Sequence, residues 1–95
     1  MIKPTVGRVV WYWPKDEKPT QPYAAIIARV WSDTCVNLAI FDANGNAIAG
    51  PPTSVLLLQE GNERPSGGGF CEWMPYQIGQ AKKHEAEKHE TEKSE

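Results

Sequence analysis

His84 and His89 are the only imidazoles in the chain, and both lie in its C-terminal tail. Imidazole is the usual general acid or base near neutral pH, so the segment rich in aromatic and β-branched residues lacks it. No Ser-His-Asp or Cys-His pairing can form there. Gly67-Gly68-Gly69 is not followed by the Lys-Ser/Thr of a phosphate-binding loop and reads as a flexible loop. His84 and His89 stand five residues apart, which splays them on a helix. Cys35 and Cys71 belong to neither a CxxC nor a Cys/His cluster, so no metal site is expected. The two cysteines are expected to stay reduced, because small scaffolds that need disulfides usually carry several. Cys71 adjoins Glu72, whose charge raises a thiol pKa and makes it a poor nucleophile. Asp33, Asp42, Glu60, Glu63 and Glu72 are scattered over turns and loops and read as turn and surface groups. Asp42 precedes Asn44-Gly45, where its side chain is suited to holding a turn. The chain therefore reads as a non-enzyme with no cofactor and no metal.

What the sequence concentrates instead is aromatic surface. It holds four tryptophans, Trp11, Trp13, Trp31 and Trp73, with Tyr12, Tyr23, Phe41, Phe70 and Tyr76. Four are many for so small a core, and a tryptophan is hard to bury completely. The candidate binding surface is Trp11, Trp13, Trp31 and Trp73 with Arg8 and Arg29. These residue types stack on a ligand and match an anionic group. The competing reading is structural: tryptophans walling the barrel and covering its ends, arginines packing their stems on them. Pro19-Thr20-Gln21-Pro22 matches the PxxP pattern that SH3 domains read, but so short a pattern recurs in loops.

The elements that must carry these residues are strands. Gly7 to Trp13 forms the first, with Val6, Arg8, Val10 and Tyr12 on one face and Val9, Trp11 and Trp13 on the other. Pro14 to Pro22 is a loop. Tyr23 to Trp31 is the second strand, and its face of Ala24, Ile26, Ala28 and Val30 is expected to be the core face. Ser32-Asp33-Thr34 turns into a third strand, Cys35 to Phe41, carrying Val36, Leu38 and Ile40 inward. Asn44-Gly45 is the strongest turn signal in the chain, since Asn-Gly takes the positive φ of hairpin turns. Ala47-Ile48-Ala49 begins its partner, Gly50-Pro51-Pro52 breaks it, and the fourth strand falls at Thr53 to Leu58. After a long loop, Gln59 to Gly69, a fifth strand runs from Phe70 to Met74. Five short strands in about eighty residues fit a mostly β fold, a small SH3-like barrel with an OB-like barrel as second choice.

Composition changes near Gly79, so residues 1–80 are read as the barrel domain and 81–95 as a charged tail. The tail repeats every five residues (Lys83-His84-Glu85-Ala86-Glu87, Lys88-His89-Glu90-Thr91-Glu92, Lys93-Ser94-Glu95) and has no apolar stripe. It is expected to be a solvated helix or disordered. Its helix-spaced ion pairs would be Lys83 with Glu87, Glu85 with Lys88, and Lys88 with Glu92. With 95 residues and a net charge of -2, the chain has no basic block, which disfavours non-specific nucleic-acid binding. No apolar run is long enough to span a bilayer, and the N-terminus lacks a signal peptide's apolar stretch. A soluble, intracellular protein without a membrane partner is expected.

Three stretches carry a resemblance: Val6-Gly7-Arg8-Val9-Val10-Trp11-Tyr12-Trp13-Pro14, the segment from Ala24 to Trp31 with Cys35 to Gly45, and Glu72-Trp73-Met74-Pro75-Tyr76-Gln77. Together they resemble a family of small uncharacterised proteins of tailed bacteriophages and prophages, over about residues 6–80. The resemblance implies an accessory protein acting in the host bacterial cytoplasm, and it assigns no site residue. The expected function is a non-catalytic binding module that engages a bacterial or phage protein, in host takeover or counter-defence. Two alternatives stay open: an oligomeric sponge that sequesters a small nucleotide signal between subunits, and a minor structural protein of the virion.

Overall fold

Alternation of buried and exposed side chains governs each strand, and the strand registers decide which half of each is inside. The computed structural model describes residues 1–15, 20–49 and 53–93, with side chains to residue 84. Its elements are β1 (Val9–Trp13), β2 (Tyr23–Ser32), β3 (Cys35–Ile40), β4 (Val55–Leu58), β5 (Phe70–Glu72) and α1 (Pro75–Lys93). The strands close into a barrel in the order β1-β2-β3-β4-β5, with β5 returning antiparallel to β1. Every strand lies beside its sequence neighbours. The closed five-stranded barrel is consistent with the SH3-like or OB-like reading.

One pair is parallel, β4 with β5. A parallel pair cannot be joined by a tight turn, which accounts for the long connection from Gln59 to Gly69. Closure also leaves Leu56 paired with both β3 and β5, and Leu57 and Leu58 paired with β5, instead of lying on an open rim. The core is built from Val10, Ala25, Ile27, Val36, Leu38, Ile40, Val55, Leu57, Cys71 and Trp73. In β3 the inward set is the expected Val36, Leu38 and Ile40.

In β2 the expected face is corrected. Ala25 and Ile27 point inward and are fully buried, whereas Ala24 and Ala28 are exposed and Ile26 is half-buried. Ile27 pairs with Leu38 and Arg29 with Asn37, so Ala28 is an extra residue. This bulge moves the alternation by one position. Val30 therefore packs on the core, and Arg29 and Trp31 face outward. Counting back from Val30 without a bulge selects the wrong face.

The Asn44-Gly45 turn holds as expected. Asp42 Oδ1 accepts the N–H groups of Asn44 and Asn46, each at 2.9 Å. These bonds, Asn46 first, keep the Asp42 carboxyl below its ordinary pKa. Among the described residues the returning chain makes an Asp42 N–H bond to Asn46 O, a Phe41–Ala47 bridge and an Ile48 N–H bond to Ile40 O. Gly50-Pro51-Pro52 and Pro19 of the PxxP stretch lie outside the described residues. Gly67-Gly68-Gly69 is not a loose loop throughout. Gly68 and Gly69 both adopt φ of +76°, and the Gly69 N–H donates to Trp13 O at 2.6 Å. A Cβ on Gly68 would collide with the Pro14 carbonyl oxygen, so close backbone approach requires glycine there.

The helix starts at Pro75, ahead of the composition change near Gly79. Proline suits the first helical position because its missing N–H would be unpaired there anyway. Gln77, two residues on, uses both ends of its amide. Its Oε1 accepts the Met74 N–H at 2.7 Å, as in half a capping box, and its Nε2 donates to Val9 O at 2.9 Å. The first turn of α1 is thus tied to the start of β1. The tail ion pairs expected at Glu85, Glu87, Lys88 and Glu92 involve side chains outside the described residues.

Candidate functional site

The six residues singled out in the sequence are distributed over three settings. Trp73 closes one end of the barrel and is only 3 % exposed. Its indole N–H donates to Gln59 Oε1 at 3.3 Å, and the Arg8 guanidinium lies 5.5 Å from its ring centroid. Gln59 is the buried polar hub of that end. Its Nε2 donates to the carbonyls of Ile2 and Asp33, both at 2.8 Å, and its Oε1 also accepts the Ile2 N–H at 3.4 Å. A buried amide is stable only when its donors and acceptors are met, and these meet them.

Trp11 and Trp13 share the outer face of β1. Trp11 stands between Ala24 and Glu72, and Trp13 opposite Phe70. The Trp13 indole N–H donates to Glu72 Oε2 at 2.6 Å, and Arg64 Nη1 meets the same oxygen at 2.7 Å. The Arg64 guanidinium also lies 5.5 Å from the Trp13 ring and 5.0 Å from that of Phe70. Arg64 therefore clasps the long loop to the barrel wall, and both aromatics are at least half covered.

Trp31 is the exception, being 54 % exposed. Its indole N–H donates to Asn37 Oδ1 at 2.9 Å, and that oxygen also accepts the Ser54 N–H at 2.8 Å. Arg29 lies over its ring, 4.2 Å from the centroid. The Ala28 bulge produces this group, because it turns Arg29 and Trp31 outward together beside Asn37. Among the described residues Arg29 has no carboxylate partner. Eight residues separate Tyr23, which pairs with Tyr12, from Trp31, so the Trp31 group stands about 25 Å along β2 from the Trp13 clasp. The structure thus joins Arg8 with Trp73, Arg29 with Trp31, and Trp11 with Trp13, but it does not join the four tryptophans into one surface.

A cleft of about 270 Å³ lies between α1 and the barrel. Ile2, Leu58 and Trp73 line it from the barrel, Ile78 and Ala81 from the helix, with Glu60, Glu72 and Lys82. Lys82 and Glu60 approach to 3.7 Å as an exposed pair, which contributes little.

Sequence reasoning missed Gln59, Arg64 and Asn37. Only Asn37 left a trace, as the polar residue interrupting the apolar run of β3. Gln59 and Arg64 sit in a loop whose path over the barrel no local pattern records. The Cys71 thiol is buried and pushed up to about 12, mainly by desolvation, and it donates to Leu56 O at 3.5 Å. Such a thiol is inert. Comparison with known proteins finds no matching family, curated protein or solved structure.

Proposed function

We propose that this chain is a non-catalytic binding module, and that it engages a bacterial or phage protein through the Trp31 group. The supporting observation is an indole that is more than half exposed and yet fixed, by Asn37 at its N–H and by Arg29 over its ring. Tryptophan and arginine are the residue types most enriched at binding hot spots. Ordering them before contact reduces the entropy lost on association. The phage resemblance makes the host bacterial cytoplasm the place of action, in host takeover or counter-defence.

The test is affinity capture from phage-infected bacterial lysate with the wild-type protein and Trp31→Ala. The variant removes an exposed side chain, so it is expected to fold, as judged by an unchanged far-UV spectrum. Captured partner is expected to fall by about thirtyfold, the equivalent of roughly 2 kcal/mol for a hot spot. Undiminished capture by folded Trp31→Ala would move the contact elsewhere and refute this reading.

A nucleotide sponge is the second reading. It is favoured by a guanidinium without a carboxylate partner beside an exposed ring, groups suited to a phosphate and a base. Small molecules released by heating protein purified from infected cells would distinguish the two.

A further inference from the structure

The two side chains held against the Trp31 indole, Arg29 and Asn37, offer solvent only hydrogen-bond donors. Asn37 Oδ1 is taken by two N–H groups, those of Trp31 and Ser54. Turning the amide over would set its NH2 against both donors, so its orientation is fixed and Nδ2 points away from them. Among the described residues Nδ2 has no acceptor, and no buried side-chain nitrogen lacks one, so Nδ2 is open to solvent. The same Oδ1 holds Ser54, the one described non-glycine residue with a positive φ, at +54°. A backbone of that kind persists only where its surroundings fix it. Arg29 is the ladder partner of Asn37, so the two stand side by side on the outer face of β2 and β3. Its guanidinium, 4.2 Å from the Trp31 ring centroid, meets no acceptor among the described residues.

Donors without acceptors call for an oxyanion. One guanidinium supplies a single positive charge, and the exposed Asp33 stands two residues from Trp31. That balance suits the single charge of a carboxylate better than the larger charge of a phosphate. The apolar side of the same face continues across β3. Leu56 is 37 % exposed and points outward between the buried Val55 and Leu57. Its ladder partner is Cys35, which shares the outer face of β3 with Asn37. Trp31 and Leu56 therefore flank β3 on strands about 10 Å apart. Resting on the reading that the Trp31 group is the contact surface, we propose that this face receives an aspartate or glutamate side chain of the partner protein. The carboxylate accepts from Arg29 and Asn37 Nδ2, and an apolar neighbour in the partner lies over β3 between Trp31 and Leu56. Arg29 and Asn37 select the charge, and Trp31 and Leu56 supply the apolar contact.

The test selects binders from a random peptide library displayed on yeast, with the full chain as target, and measures affinity on synthetic copies. Peptides chosen by the wild type are expected to carry an Asp or Glu near an apolar residue. Changing that acid to its amide is expected to weaken binding about tenfold, as for a hydrogen bond to a charged group. Asn37→Asp keeps oxygens for the Trp31 and Ser54 N–H groups but removes the Nδ2 donors and adds a negative charge. Its Trp31 indole N–H resonance is expected to stay in place while binding of the acidic peptides is lost. Arg29→Glu alters an exposed side chain, is expected to keep the far-UV spectrum, and is expected to select basic peptides instead. Wild-type peptides without an acidic excess, acidic peptides that bind both variants undiminished, or no selected peptide at all would overturn the proposal. If the selected peptides lacked acids but still failed to bind Trp31→Ala, the Trp31 contact itself would stand. Displacement of the peptides by adenosine monophosphate and not by N-acetylglutamate would give the site to a phosphate and overturn the carboxylate.

Discussion

At the residue scale, environment sets what each polar group does. Cys71 and Cys35 are chemically alike, but Cys71 is sealed behind β4 and β5 and keeps its proton to about pH 12. Near neutral pH the thiol is protonated in both folded and unfolded chains and adds no slope to stability. Above its ordinary pKa of 9.0 the unfolded chain releases the proton that the fold retains. Stability from this group therefore falls with rising pH from about 9 to about 12. Denaturant titrations of Cys71→Ala and the wild type across that range are expected to converge as pH rises, because the variant lacks this loss. Parallel pH profiles would show that the thiol ionises freely in the fold. Asp42 has the opposite sign. Its lowered pKa supports the hairpin above the ordinary carboxylate range and ceases to do so as pH falls through its folded value.

At the element scale, the bulge in β2 and the glycine pair before β5 matter most. Because Ile27 is inside and Ile26 is half-covered on the outer face, Ile27→Ala is expected to cost about 2 to 4 kcal/mol and Ile26→Ala distinctly less. Chemical denaturation midpoints decide between them, and equal losses would mean the strand is in another register. Gly68→Ala is expected to cost about 2 kcal/mol or more, because it forces a side chain into a positive φ and against the Pro14 carbonyl. A thermal shift near zero would show that the loop has another path to β5. Both features were only partly legible. The β-branched run from Ala24 to Val30 announced a strand, but a bulge has no local signature in it. The three glycines announced an unusual backbone without saying which carbonyl it would pass.

At the scale of the whole molecule, a cleft remains where the helix meets the barrel. The cleft beneath α1 is lined by apolar side chains, including the small Ala81. Ala81→Leu is expected to fill part of it and raise stability by about 1 kcal/mol, read as a higher melting temperature. A lower melting temperature would show that the helix packs more tightly than this. Because the cleft and the Trp31 group do not share residues, the same variant is expected to leave partner capture unchanged.

What the sequence determined by itself was local. Strand content, turn positions, the inward set of β3 and the tail's lack of an apolar face all follow from alternation, turn chemistry and composition over a few residues. Only the tertiary structure decided the rest. Burial of Trp73 depends on Gln59 reaching it from another loop, and the cover over Trp13 depends on Arg64 pairing with Glu72 on the barrel wall. The exposure of Trp31 depends on the irregular register of β2, which shifts at Ala28 and again between Val30 and Ser32. Four tryptophans of one chemical type thus reach three different environments. For Trp13 and Trp73 the environment is set by partners distant in sequence, and for Trp31 by an irregular strand register, which is where local pattern stops carrying information.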